Sequence, residues 1–106
     1  MAFDINEVLA QMLGSIKTIT KDNWNNVKDT ANTYFQDKKA RLELLASLRL
    51  QKEISQEFFL KRVADEEKIL ESELHSIAII TKAIAQKAAN AAIDIFQNAV
   101  MKVLGL

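Results

Sequence analysis

The sequence predicts an all-α protein, and three observations carry that reading. Proline is absent, glycine occurs only at Gly14 and Gly105, and apolar residues recur at three- and four-residue steps along most of the chain. Neither of the residues that most readily break a backbone stands between positions 15 and 104, and no Asn-Gly or Asp-Gly pair is present to close a β-hairpin. At 106 residues, 49% hydrophobic and 26% charged, the chain has the size and composition of one globular domain spanning 1–106.

A first helix is expected over 4–19. Asp4 can accept an orphan backbone N–H at the helix start, and Glu7, three residues on, suits the positive end of the helix dipole. Ile5, Val8, Leu9, Met12, Leu13, Ile16 and Ile19 then fall on one face. Gly14 weakens or bends this helix without ending it. The cluster TITKDNWNN at 18–26 is rich in Thr, Asp and Asn, which compete for backbone hydrogen bonds, so the first connection belongs there.

A second helix, expected over 24–51, carries Trp24, Val27, Ala31, Tyr34, Phe35, Leu42, Leu45 and Leu48. Its middle, QDKKAR, is highly charged, which predicts a narrow seam edged by Lys and Arg stems. A tight turn follows at 52–54. With Ser55 as N-cap, Ile54 and Phe59 have the spacing of a hydrophobic staple.

The residues around this turn resemble the short C-terminal domain family of bacteria, whose pattern is a leucine pair before a glycine, then Ile-Thr or Ile-Ser, acidic residues and Phe. Leu45, Leu48, Ile54, Ser55, Glu57 and Phe59 match that pattern, while Lys52 stands in place of the glycine and Phe58 in place of an acidic residue. The resemblance is confined to this stretch. It implies the helix-to-helix turn and, from the family, a role loosely defined as interaction.

The third helix is expected over 55–104. Val63, Leu70, Ile77, Ile84 and Ala91 repeat every seven residues, with Leu74, Ala88 and Ile95 at the companion offset, the pattern of a coiled coil. Composition changes midway: 61–75 is charge-rich, whereas 77–104 is apolar around most of its circumference and must be surrounded. An unbroken helix of this length is a rod of about 75 Å, which the two earlier helices cannot wrap. Either it breaks near 75–81 to give four helices, or a second copy covers it. Because no residue forces a break, the continuous helix is favoured.

The predicted architecture is therefore a set of long antiparallel helices, a helical hairpin plus an N-terminal helix, forming a three- or four-helix bundle completed by self-association. The interface is assigned to Ile77, Ile80, Ile84, Ala88, Ala91, Ile95 and Phe96. A homo-oligomer, with a dimer favoured, is the expected partner state, and another protein partner is compatible with the same surface.

Several chemistries are disfavoured by composition. Fourteen basic residues against fourteen acidic give no net field to draw nucleic acid, so no nucleic-acid partner is expected. Lys38, Lys39 and Arg41 cluster near Tyr34 and Phe35, but helical placement sends those aromatics to the core, as it does Trp24. Cysteine is absent, which removes thiolate chemistry and cysteine-based metal sites. His75 is the only histidine. Glu71 shares its face, but Ser72 stands where a Glu-x-x-His pair needs a carboxylate, so no metal is assigned. Asp65, Glu66, Glu67, Glu71 and Glu73 read as a solvated, ion-paired face, and no phosphate loop or nucleophile motif occurs. No catalytic residue and no cofactor are expected.

The first charges are Asp4 and Glu7, the wrong polarity for a secretory leader, and the cytoplasm is the expected location. The functional expectation is a non-catalytic structural or protein-interaction module, a helical oligomer acting as scaffold, adaptor or assembly subunit. The alternative is a peripheral lipid-surface or pore-associated amphipathic protein. It is disfavoured because the first helix lacks a basic polar face, and Lys82, Lys87, Asp94 and Lys102 interrupt the last apolar stretch.

Overall fold

Three apolar–cap–apolar triplets mark where α-helices begin, and a fourth α-helix starts without one. A computed structural model describes residues 3–76 and 80–105, and among these every regular element is helical. Helix α1 runs Ile5–Thr20, α2 Trp24–Leu50, α3 Gln56–His75 and α4 Lys82–Val103, with one 3₁₀ turn, Lys21–Asn23, between α1 and α2. Asp4 caps α1 by accepting from the Asn6 and Glu7 amides at 3.0 and 3.3 Å. Ser55 caps α3 by accepting from the Phe58 amide at 3.0 Å, and Thr81 caps α4 by accepting from Ile84 at 3.2 Å. Each cap satisfies an orphan donor worth about 1 kcal/mol. Each is also flanked by an apolar residue before it and another four residues after it: Phe3 and Val8, Ile54 and Phe59, Ile80 and Ala85.

The α2–α3 connection is closed by backbone. The Lys52 amide donates to the Arg49 carbonyl at 3.0 Å and the Glu53 amide to the Leu48 carbonyl at 2.9 Å, the paired bonds of a Schellman ending. Lys52 occupies the left-handed position of that motif, with φ of 60°. A side chain in this conformation costs strain that glycine avoids. Arg49 adds a side-chain brace, donating from Nε to Gln56 Oε1 at 2.9 Å and from Nη1 to the Ile54 carbonyl at 3.3 Å. Gln56 in turn donates to Met101 Sδ, tying the start of α3 to the end of α4.

Where one helix over 55–104 is expected, the chain has two. α3 ends at His75 with Ser76 as its C-cap, and Thr81 has extended backbone, φ −70° and ψ 161°, before α4 begins. The break turns α4 back onto α1, α2 and α3, and the long dimension of the molecule is 40 Å with a radius of gyration of 13.6 Å. The energetic reason lies in the flank that a rod leaves wet. Folding back buries Ala85, Ala88, Ala89, Ala92, Ile93, Phe96 and Val100. Ile93, Phe96 and Val100 alone contribute about 1.5–3 kcal/mol each, whereas helix propensity differs by at most about 0.7 kcal/mol for each ordinary residue given up. Burial wins without needing a proline or glycine.

The core is continuous through all four helices. Ile5, Met12 and Ile16 from α1 meet Val27, Tyr34 and Leu42 from α2, Phe59, Leu70 and Leu74 from α3, and the α4 face just named. Phe96 is its aromatic hub, with ring centroids 6.2 Å from both Phe3 and Phe59. Trp24 is partly buried against the core. No helix among the described residues is long and apolar enough to cross a membrane.

Candidate functional site

The reversal of direction between α3 and α4 decides the fate of the expected interface. Ile80, Ala88 and Phe96 are enclosed by their own chain and present nothing to a partner. Ile84, Ala91 and Ile95 are partly buried, and Ile77 lies outside the described residues. The apolar excess of the last third is thus largely absorbed within one copy, by α1, α2 and α3.

The apolar surface left over is elsewhere. Leu44 is 59% exposed and Phe58 49% exposed, and both line a groove of about 310 Å³ between the second half of α2 and the first half of α3. Leu45 and Leu48 complete its apolar wall, and Arg41, Arg62 and Glu66 complete its rim and floor. Local sequence explains why these side chains are outside. On a helix, adjacent residues point about 100° apart, so of the pairs Leu44–Leu45 and Phe58–Phe59 only one member each can face the core. Leu45 and Phe59 take the inward places.

The floor holds a charge. Glu66 is 3% exposed because it lies on the same stripe as Phe59, Val63, Leu70 and Leu74. That corrects the reading of 65–73 as a wholly solvated acidic face. Burying a carboxylate is costly unless its oxygens are satisfied, and both are. Glu66 Oε1 accepts from Arg41 Nε at 2.9 Å, and Oε2 accepts from the Tyr34 hydroxyl at 3.2 Å. Burial, reinforced by the charge and hydrogen bond of Glu66, pushes the Tyr34 phenol well above the ordinary tyrosine range. Arg41 remains 46% exposed at the groove edge. Arg62 has Asp65 at 3.9 Å, a loose and solvent-exposed pairing.

The opposite side of α3 carries a second acidic group, Glu67. Burial, then the charges of Asp94 and Glu71, raise the Glu67 carboxyl above its ordinary value. His75 and Glu71 remain on α3, and among the described residues no group of three or more potential ligands is placed to hold a metal ion.

A second cleft, of about 530 Å³, lies where Phe3 and Val8 approach Ile95, Ala99 and Val103. It brings the start of α1 beside the end of α4 and includes one expected interface residue, Ile95. Apolar side chains are more exposed in the α2–α3 groove, where Leu44 and Phe58 lie, than in this cleft, where Val103 is 38% exposed. Comparison of the chain with protein-family models, with curated proteins and with solved structures finds no match.

Proposed function

We propose that the chain is a non-catalytic protein-interaction module that self-associates, serving as a scaffold, adaptor or assembly subunit, with the α2–α3 groove as its docking surface. The observation that carries this reading is the exposure of Leu44 and Phe58 side by side with Leu45 and Leu48. The occupant is a second copy of the chain. Equal numbers of acidic and basic residues leave copies without net repulsion, and the molecule displays both signs of charge beside apolar surface. Buried Glu66 has both carboxylate oxygens engaged, one by the Tyr34 hydroxyl and one by Arg41, which supports a part for this group in holding the fold.

The test is molar mass by light scattering behind size exclusion, over a concentration series, for the native chain and for Leu44→Asp and Phe58→Asp. The native chain is expected to exceed one copy, and both variants to run as helical monomers. A native chain that stays monomeric throughout the series overturns the proposal.

A further inference from the structure

Two surfaces on opposite sides of α3 differ in the charge that flanks their apolar residues. The groove is apolar with two guanidinium groups on its rim, Arg41 and Arg62, each engaged by its own chain through one contact. The outer face of α3, on the other side of the same helix, carries Leu60 and Ala64 flanked by Glu57, Glu67 and Glu71. Leu60 is 36% exposed there. Positions 60, 64, 67 and 71 follow the four-three-four spacing of a single helical stripe, apolar at its first two positions and acidic at its last two. Lys61 and Lys68 border that stripe on its solvent side.

Resting on the reading that the groove mediates self-association, we infer that the groove of one copy receives the outer α3 face of the next copy, so that assembly is head-to-tail. Leu60 and Ala64 supply the apolar contact, and Glu57, Glu67 and Glu71 meet Arg41 and Arg62. A two-fold arrangement would instead set groove against groove and leave Glu57, Glu67 and Glu71 without an arginine opposite them. In the free molecule Glu67 already bears the repulsion of Asp94 and Glu71, and an incoming guanidinium relieves it. A heterologous contact of this kind leaves one groove and one acidic face open at the ends of any linear chain of copies, so assembly grows with concentration unless it closes into a ring.

Mixing two blocked variants tests this. Phe58→Asp with Arg62→Glu blocks the groove, and Glu67→Lys with Glu71→Lys blocks the acidic face. Circular dichroism reports whether each remains helical, and Leu60→Asp provides a second block of the outer face. Each blocked variant alone is expected to be monomeric, while the equimolar mixture forms a complex of twice the chain mass that grows no further, because each partner retains one competent surface. If the native chain self-associates but the folded variants do not complement each other, or if blocking the outer face leaves assembly intact, the head-to-tail mode is overturned and self-association through the groove stands. A native chain that remains monomeric overturns both.

Discussion

The Tyr34 hydroxyl sits 3.2 Å from Glu66 Oε2 and 3.4 Å from the Glu66 carbonyl oxygen, so its single proton has two acceptors on one residue. Removing the carboxylate therefore does not orphan the phenol, whereas removing the guanidinium leaves a buried anion with less compensation. Arg41→Leu is expected to destabilise the fold by about 1–3 kcal/mol, while Glu66→Leu costs less. Urea titration of the two variants decides it, and a larger loss for Glu66→Leu would contradict the account.

Tyr34 is the only tyrosine, so its ionisation can be followed without overlap. Its folded pKa lies above its unfolded value, chiefly through burial. Stability from this group is therefore full below the unfolded phenol pKa of about 10 and is lost as pH rises beyond it. The ultraviolet phenolate band is expected to appear in the same alkaline step as loss of helicity. Reversible ionisation near the free-tyrosine value with helicity intact would show that the ring is not held as described.

Glu67 has the same sign of linkage from a different cause. Burial and the carboxylates of Asp94 and Glu71 raise its pKa, so the folded state holds the proton more tightly than the unfolded chain. Its contribution is present below the unfolded carboxylate pKa and is lost as pH rises through the folded one. Glu67→Gln is expected to raise the melting temperature at neutral pH, with the gain vanishing in acid. An equal gain at both pH values would point to helix propensity instead of charge.

Lys52, at φ 60°, holds the left-handed position of a helix ending whose hydrogen bonds are otherwise complete. Lys52→Gly is expected to stabilise the fold by about 1 kcal/mol, a gain read from thermal or chemical unfolding. The same exchange at exposed Lys39 inside α2 is expected to destabilise by roughly that amount.

Much of this fold is legible in single residues. Asp4 and Ser55 act as caps, and the stripe from Ile5 to Ile16 faces the core, as their spacing predicts. The turnaround after α3 is harder to read because its cause is not local. Thr81 is an unremarkable cap candidate, and what selects it is the burial gained when Phe96 reaches Phe3 and Phe59. The groove is hidden for a related reason: a periodic reading credits Leu45 and Leu48 to the core seam and passes over Leu44, which its adjacency to inward-facing Leu45 turns to the outside. Glu66 gives the clearest missed signal. It stands on the Val63–Leu70 stripe, where a carboxylate must find partners, but Arg41 and Tyr34 are too distant in sequence to nominate themselves.

The most extensive helix pairing joins α1 to α4, the first and last helices along the chain. During synthesis the greasy side of α1 emerges early and cannot obtain its principal neighbour until residues 82–103 have left the ribosome, with the loop-closure entropy of that long separation to overcome. Nascent chains halted ahead of α4 would accordingly keep Met12 and Ile16 within reach of chaperones, and release of that last helix would be the event that ends their vulnerability.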